Sequence, residues 1–268
     1  MKISIITINY NDIEGLKKTF NSVLIQDYPN IEYIVIDGDS SDGGQEFLKQ
    51  NSDKLDFWVS EKDEGIYDAM NKGIAKASGE YVLFLNSGDW LVDNTVISKF
   101  ANEKPYESIV YGNIIKVADD GKESIGRSAQ SSDVSLFHLM FGTLTHPSSF
   151  FRRELFEKYG GFRTDYKIVS DWLFYLITIG VHKESVRYID TNVSYFDMTG
   201  ISNSNISVRN DERERALKEF LPSKLYEEYQ ILKQMKEDSE VLNRMKNDRR
   251  FNKLVNYYSK VFKSSFRM

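Results

Sequence analysis

The feature of the sequence that most constrains its fold is an alternation of short apolar runs and longer amphipathic segments over residues 1–90. The apolar runs predict strands at 3–8, 31–36, 56–59 and 81–85, and the segments between them predict helices near 12–25, 42–50 and 66–77. This alternation is typical of a mostly parallel sheet with right-handed crossovers and helices on both faces. We therefore expect an α/β fold with a Rossmann-like first half.

The fourth apolar run, at 81–85, lacks polar alternation and therefore predicts a central strand that is covered on both faces. It stops at Asn86-Ser87-Gly88-Asp89. Open α/β sheets bind ligands at the carboxyl ends of such strands, so Asp89 is placed where a metal ion or phosphate can be held. The alternative is a plain β-turn, because these four residue types are favoured in turns.

The loops after the other predicted strands are also rich in small polar and acidic residues. Asp37, at the end of the second strand, can accept a hydrogen bond from a base or ribose, although the loop that follows also suits a turn or a helix cap. Asp63, Asp68 and Asn71 either face a cleft or form a solvated helix face.

The middle of the chain, 105–200, predicts a mixed α and β region. A strand is expected at 108–117, a hairpin turn at 119–122, and helices at 154–159 and 170–179. Asp171 falls in the first turn of the last helix, where it either carries function or only favours the helix dipole. His146 is expected either to line the cleft or to be an ordinary core histidine.

From about residue 206 the sequence is rich in Glu, Lys, Arg, Leu and Tyr, which predicts two or three amphipathic helices. We expect a catalytic domain over 1–204 and a helical extension over 205–268. Residues 244–268 hold eight Lys or Arg and one acid, interleaved with aromatic residues. This pattern suits a helix that docks on anionic lipid, and equally a helical cap or a homodimer contact.

Composition limits the chemistry that the chain can perform. It has 268 residues, no cysteine and a formal net charge of -5. Disulfides, thiolate zinc sites and a cysteine nucleophile are excluded, and a reducing compartment is the simple inference. The acidic balance argues against nucleic acid as a partner. No apolar stretch reaches the roughly 18 residues of a spanning helix, so we expect a cytoplasmic protein, with peripheral contact at the inner membrane face as an option.

Four blocks of the sequence, in this order and spacing, resemble the family 2 glycosyltransferases of the GT-A fold. They are IITINYN at 5–11, VIDGDSSDG at 35–43, DEGIYDAMNKG at 63–73 and GEYVLFLNSGD at 79–89. Gly160-Gly161-Phe162 and Ser170-Asp171 add a fifth block. The resemblance covers about the first 200 residues and is strongest to bacterial enzymes that build capsule, exopolysaccharide or O-antigen.

The resemblance implies a GT-A fold, with a Rossmann-like nucleotide-binding half and a mixed central sheet, followed by C-terminal helices. It implies an inverting hexosyl- or N-acetylhexosaminyl-transferase that moves one sugar from a nucleotide-diphospho-sugar to a saccharide or lipid-linked acceptor. A UDP-sugar fits Asp37 best, and Mn²⁺ or Mg²⁺ is the expected cofactor. The Gln-x-x-Arg-Trp motif of processive members is absent from the sequence, which favours addition of a single sugar.

The resemblance also assigns roles to individual residues. Asp171 matches the catalytic base, with Ser170 in place of the usual Glu before it. Asp89 alone carries the metal role, because Asn86 and Gly88 stand where acids are common. The residues expected to bind the nucleotide are Asn9, Tyr10, Asp37, Asp63, Asn71, Ser87 and Gly88. Those expected at the acceptor or donor sugar are Asn86, His146, Trp172, Gly200 and Ser202.

Two rival functions remain open. A nucleotidyltransferase would share the nucleotide-binding half, but the sequence has no Gly-rich N-terminal loop with a nearby Arg and Lys to hold a triphosphate. A non-catalytic protein that binds sugar nucleotides, or a scaffold of a polysaccharide assembly complex, is suggested by the reduced acidic motif at Asn86 and Gly88.

Overall fold

The computed structural model describes residues 1–118, 120–126, 128–198 and 205–247. Gly200 and Ser202, Asp119 of the expected hairpin turn, and the basic tail from residue 248 onward lie outside these described residues.

The described residues form nine strands and nine α-helices. The strands are β1 Ile3–Asn9, β2 Ile31–Asp37, β3 Phe57–Ser60, β4 Tyr81–Phe84, β5 Trp90–Leu91, β6 Ile109–Val117, β7 Glu123–Gly126, β8 Ser149–Arg152 and β9 Val186–Asp197. The helices are α1 Ile13–Leu24, α2 Gly44–Gln50, α3 Ile66–Lys76, α4 Val96–Asn102, α5 Leu136–Phe141, α6 Glu154–Tyr159, α7 Ser170–Tyr175, α8 Ile206–Phe220 and α9 Ser223–Asn247. Short 3₁₀ turns occur at Ser52–Lys54 and His146–Ser148.

The described strands make one sheet in the order β3-β2-β1-β4-β8-β6-β9-β5, with β7 paired to β6. Strands β3, β2, β1 and β4 run parallel. Their burial explains this arrangement, since every residue of β1 and β4 is buried and an apolar run with no polar face must be covered on both sides. The predicted parallel half is therefore confirmed, and its strand ends fall within one or two residues of the expected positions.

The second half of the sheet makes it mixed. Strand β8 is antiparallel to both β4 and β6, and the 12-residue β9 runs parallel to β6. At its carboxyl end β9 also pairs with β5, where Tyr195 lies opposite Trp90. This pairing carries the end of β9 to the turn that follows β4, so two distant parts of the chain meet at one edge of the sheet.

One helix differs from its expected form. The sequence predicts a single helix over 170–179, but α7 ends at Tyr175 and continues as a π-helical segment, Leu176–Val181. The Thr178 hydroxyl donates to the Phe174 carbonyl oxygen at 2.7 Å, a bond that distorts helices. Gly180 also packs closely on α5, because a Cβ atom there would lie 2.8 Å from Leu136 Cδ1. The wider turn accommodates this close approach.

The chain divides into two compact units, Met1–Glu214 and Arg215–Met268. The first contains the sheet and the first turns of α8. The second contains, in its described part, the end of α8 and the 25-residue α9, with Pro222 between them. Among the described helices, none has both the length and the apolar character needed to cross a bilayer.

Candidate active site

A cleft of about 920 Å³ opens at the carboxyl ends of β1 and β4. Strand order reverses at this point, since the chain proceeds outward from β1 to β3 and then returns to place β4 on the other side of β1. Such a switch point leaves a crevice that no crossover connection covers. Of the residues expected to form a site, Asn9, Tyr10, Asp63, Asn86, Ser87, Gly88, Asp89, His146, Asp171 and Trp172 line this cleft.

Asn9 joins the ends of three strands. Its Oδ1 atom accepts a hydrogen bond from the Ser87 hydroxyl at 2.7 Å, and its Nδ2 donates to Asp37 Oδ1 at 2.6 Å and to Ser40 Oγ at 3.1 Å. The residue is 4% exposed. Its amide therefore fixes the loops after β1, β2 and β4 relative to one another, and only a small part of it is left to face a ligand.

Asp37, which we expected to contact the nucleotide base, ends β2, and its carboxylate is engaged by other residues of the protein. It is fully buried and is not among the cleft-lining residues. Its carboxylate accepts hydrogen bonds from Asn9, from the Ser40 backbone N–H at 3.0 Å and hydroxyl at 2.6 Å, and from the Ser60 hydroxyl at 2.5 Å. Through these hydrogen bonds the Asp37 carboxylate holds the loop after β2 in place. The acid of this loop that lines the cleft is Asp39, in the left-handed conformation with φ of 65°.

Tyr10, Gly38 and Asp63 form one wall of the cleft. The Tyr10 side chain is 68% exposed, so its ring is available for stacking. A Cβ atom on Gly38 would lie 2.6 Å from Asp63 Oδ2 and 3.1 Å from Tyr10 Cδ2, so glycine is needed for these two side chains to approach. Asp63 accepts from the Gly65 backbone N–H at 2.9 Å, which leaves its other oxygen toward Gly38. This wall suits a planar base with polar edges.

The backbone of the turn 86–89 after β4 is held by the hydroxyl of Thr19 of α1. The Thr19 hydroxyl lies 2.7 Å from the Asp89 carbonyl oxygen and 3.2 Å from that of Asn86, and it accepts from the Gly88 N–H at 3.2 Å. Gly88 has φ of 93°, a left-handed conformation that favours glycine. An acid at this position, as the family pattern has, would be strained.

Asp89 is 4% exposed, and burial raises its pKa to about 7, against a smaller opposing effect of the His146 charge. The Asp197 backbone N–H donates to Asp89 Oδ1 at 3.3 Å. Among the described residues, no group of three or more His, Cys, Asp or Glu side chains is placed to hold a metal ion. A hard divalent cation nevertheless fits the donor set, because Asp89 supplies a buried carboxylate and the buried Asn86 Oδ1 has no hydrogen-bond partner. The phosphate oxygens of a bound nucleotide would complete its coordination.

Asp171 lies at the start of α7 and is held from two sides. Its Oδ2 atom is 3.0 Å from His146 Nδ1, and its Oδ1 is 2.9 Å from the Tyr67 hydroxyl, which also lies 2.7 Å from the Ile168 carbonyl oxygen. Burial alone would raise the pKa of Asp171, but the hydrogen bond and charge of His146, with the Tyr67 hydroxyl, hold that pKa below its ordinary value. The carboxylate is therefore ionised at neutral pH.

Trp172 forms part of the same wall as Asp171. It is 3% exposed, and its indole N–H donates to the Leu139 carbonyl oxygen at 2.7 Å. The Arg213 guanidinium lies 4.4 Å from its ring and donates to the Gly142 carbonyl oxygen. These contacts fix the Trp172 ring, which lines the cleft beside the ionised Asp171 with little of its surface exposed.

Asn71, which we expected to contact the nucleotide, is not among the residues that line the cleft. Both ends of its side-chain amide bind the backbone of Phe162, so the residue ties α3 to the loop before α7. The other alternative for this helix, a solvated face, suits Asp68, which lies 3.4 Å from Lys72 Nζ.

Several cleft residues were not found from the sequence. The apolar spacing of α3 gave no reason to select Tyr67 as a site residue. It lies 104 positions before Asp171 in the sequence, and the two side chains meet only in the folded protein. Five basic residues line the cleft, from the loop after β3, from β6, from the loop before α7 and from the first half of α8: Lys62, Lys116, Lys167, Arg209 and Arg213. They are scattered along the chain and form no motif.

The strand order and the cleft at the switch point, with Asp89 and Asp171 in it, agree with the GT-A fold of the glycosyltransferases that the sequence resembles. The family model "Glycosyl transferase family 2" matches residues 4–160. The chain belongs to this family.

Similar proteins agree with the assignment. The chain is 34% identical, over 203 residues, to an uncharacterized glycosyltransferase of Mycobacterium tuberculosis, a match that covers 74% of this chain and 76% of that protein. Two solved structures share the fold. TarS of S. aureus (residues 1–349) in complex with UDP-GlcNAc superposes with a TM-score of 0.66 at 21% identity, over 81% of this chain and 65% of that one. The mannosyltransferase PcManGT from Pyrobaculum calidifontis, in complex with GDP-Man and Mn²⁺, gives 0.63 at 18% identity, over 81% and 63%.

Proposed function

We propose that the protein is an inverting, metal-dependent glycosyltransferase that moves one sugar from a nucleotide-diphospho-sugar to a hydroxyl of a saccharide or lipid-linked saccharide. The observation that carries this proposal is that a buried carboxylate at the turn after β4, Asp89, and an ionised carboxylate at the start of α7, Asp171, face one cleft. The reaction needs these two functions, since the leaving diphosphate must be neutralised and the attacking hydroxyl must lose its proton.

The divalent ion, Mn²⁺ or Mg²⁺, would be held by Asp89 together with the donor diphosphate, and when bound it would supply Lewis-acid stabilisation of the leaving group. The protein's own residues position the substrates. Tyr10 would stack on the base, Asp39 and Asp63 would accept from its ring N–H or from the ribose, and Trp172 would pack against a sugar ring. The pair Asp171 and His146 would bind the acceptor hydroxyl and receive its proton.

We propose a UDP-sugar, hexosyl or N-acetylhexosaminyl, as the donor. TarS is solved with UDP and with UDP-GlcNAc, and PcManGT with GDP-Man, so proteins of this fold hold nucleoside diphosphate sugars of more than one base. Support for uridine comes from the wall made by Tyr10, Gly38 and Asp63, where an exposed aromatic ring lies beside a carboxylate that can accept a hydrogen bond from a ring N–H.

We propose the class of acceptor and the cellular location from the chemistry of the reaction and from the composition of the C-terminal sequence. A role in surface polysaccharide synthesis would supply a saccharide or lipid-linked acceptor at the inner face of the cytoplasmic membrane. The basic, aromatic sequence of 244–268 supports peripheral contact with anionic lipid there.

A panel of UDP-, GDP- and dTDP-sugars with Mn²⁺ tests the proposal, with released nucleoside diphosphate as the readout. We expect release from one donor class, a large increase in the presence of the correct acceptor, and loss of release in EDTA. If every donor remains intact although UDP binds, the rival function of a non-catalytic sugar-nucleotide-binding protein is favoured. That rival is suggested by the reduced acidic motif at Asn86 and Gly88.

A further inference from the structure

His146 lies between Asp171 and Asn86 on the wall of the cleft. Its Nδ1 atom is 3.0 Å from Asp171 Oδ2, and its Nε2 atom is 3.3 Å from Asn86 Nδ2. The side chain is 16% exposed, so the protein fixes the ring while one edge is open to the cleft. The 3₁₀ turn His146–Ser148 places it there, directly before β8.

The neighbours of the ring determine which nitrogen carries the proton. An ionised carboxylate only accepts hydrogen bonds, so Nδ1 must donate to Asp171. In a neutral imidazole the other nitrogen, Nε2, then has a free lone pair, and the Asn86 amide N–H₂ is the donor that it faces. A separation of 3.3 Å is long for a hydrogen bond, so a substrate hydroxyl can replace Asn86 at small cost.

We propose that His146 Nε2 is the atom that takes the proton from the acceptor hydroxyl, and that Asp171 orients the ring and stabilises the imidazolium. This inference rests on the proposed function and specifies its base. As the acceptor oxygen bonds to the anomeric carbon, the bond from that carbon to the diphosphate oxygen breaks and its electron pair leaves with the diphosphate. The hydroxyl proton moves to Nε2, while Nδ1–H remains bonded to Asp171. The imidazolium then returns its proton to water.

Two arguments favour the imidazole over the carboxylate as the base. Both oxygens of Asp171 are already engaged, one by His146 and one by Tyr67. A base whose other nitrogen is held by a buried carboxylate is a recurring arrangement in catalysis.

Chemical rescue separates a base from a merely structural histidine. With the donor that the wild-type protein consumes in the nucleotide-sugar panel, we expect His146→Ala to lower kcat roughly 10²–10⁴-fold. UDP affinity, measured by calorimetry, should remain near the wild-type value. Added imidazole should restore transfer, and 4-methylimidazole, the stronger base, should restore it more. His182→Ala is the matched control, since His182 is exposed, contacts Tyr159 and is not among the cleft-lining residues. This control should keep the wild-type kcat.

Nitrogen NMR tests the geometry without any substrate. The chain has three histidines, so the His146 signals are identified by their loss in His146→Gln. We expect the proton on Nδ1 in the wild-type protein. In Asp171→Asn the asparagine side chain can donate to Nδ1, so the proton should move to Nε2.

The inference is overturned if His146→Ala keeps kcat within tenfold, if rescue does not depend on the basicity of the added imidazole, or if the wild-type ring carries its proton on Nε2. Those results would leave sugar transfer itself intact. If no donor is consumed in the panel, the proposed function fails and the catalytic role of His146 fails with it, whereas the NMR result would still report the ring's tautomer.

Discussion

Asn71 of α3 and Phe162 of the loop after α6 are joined by a complete amide-to-backbone pair. Asn71 Nδ2 donates to the Phe162 carbonyl oxygen at 2.7 Å, and Asn71 Oδ1 accepts from the Phe162 N–H at 2.8 Å. The Phe162 ring in turn packs 5.7 Å from that of Tyr67, which contacts Asp171. This pair therefore supports the catalytic side of the cleft from outside it.

We predict that Asn71→Ala destabilises the fold without weakening nucleotide binding. Loss of two hydrogen bonds should lower the free energy of unfolding by about 1–3 kcal/mol, measured by urea denaturation. The affinity for UDP should be unchanged, because Asn71 does not line the cleft. Asn102→Ala, at the exposed end of α4, is the matched control and should keep wild-type stability. A large loss of UDP affinity with unchanged stability would restore the nucleotide-binding role expected from the sequence.

For Tyr10 we predict a loss of nucleotide affinity without a loss of stability. Stacking of a base on an aromatic side chain is worth about 1–3 kcal/mol, so Tyr10→Ala should raise the Kd for UDP roughly 5–150-fold. Tyr10→Phe retains the ring and should bind nearly as well as the wild-type protein. Because the side chain is 68% exposed, neither change should alter thermal stability. Equal affinities of the alanine and phenylalanine variants would show that the ring does not stack.

Asp171→Asn should lower kcat about 10²–10⁴-fold and leave UDP binding nearly intact. The asparagine keeps the size of the side chain but cannot hold the Nδ1–H form of His146 as an ionised acceptor does. Asp165→Asn is the control, since Asp165 is exposed and forms a surface ion pair with Arg163. Its transfer rate should match that of the wild-type protein. Wild-type rates in Asp171→Asn would remove Asp171 from the mechanism.

Asp89 predicts a pH dependence of stability in metal-free buffer. Its pKa is about 7 in the folded protein, against an ordinary value of 3.8. The folded state therefore binds the Asp89 proton more tightly than the unfolded state does. The free energy of unfolding gains its full contribution from this proton below pH 3.8, and that contribution is lost as the pH rises through about 7. The difference corresponds to at most ~4 kcal/mol. The Asp89→Asn side chain stays neutral at every pH, so this variant does not lose the contribution. Its free energy of unfolding, relative to that of the wild-type protein, should therefore increase by up to ~4 kcal/mol between roughly pH 4 and pH 8.

Urea denaturation in EDTA across this pH range measures the effect. A relative stability that does not change with pH would contradict the raised pKa. In the presence of UDP, Mn²⁺ should stabilise the wild-type protein above pH 7 and should not stabilise Asp89→Asn, because a ligand that binds only the folded state raises its stability. Metal-dependent transfer should be lost in Asp89→Ala.

The parallel half of the fold was predictable because its signal is local. Each strand from β1 to β4 is a short apolar run, and each crossover carries helical periodicity, so the order of elements follows from the sequence alone. The mixed half was less accessible. Strands β8 and β9 acquire their positions by pairing with β4, β6 and β5, and no local pattern specifies those long-range partners.

The site shows the same division. Asn9, Tyr10 and the turn 86–89 were found because strand ends in a parallel sheet meet at one edge. Asp37 and Asn71 were expected at the ligand from the strand end and the family resemblance, and in the structure their side chains bind other parts of the protein. Sequence spacing does not report side-chain direction within a loop or on a helix. The contact of Tyr67 with Asp171 is formed only when α3 and α7 pack in three dimensions.

The position of Thr19 has a consequence for how quickly the donor can be captured. Because one hydroxyl on α1 engages the backbone of Asn86, Gly88 and Asp89, the turn already has its shape before any ligand arrives. Binding then requires little ordering of this loop, and less of the contact energy is spent on it. Thr19→Val, nearly identical in shape, would leave those backbone groups unsatisfied. The speed of donor association is thus set partly by a helix that contributes no side chain to the chemistry.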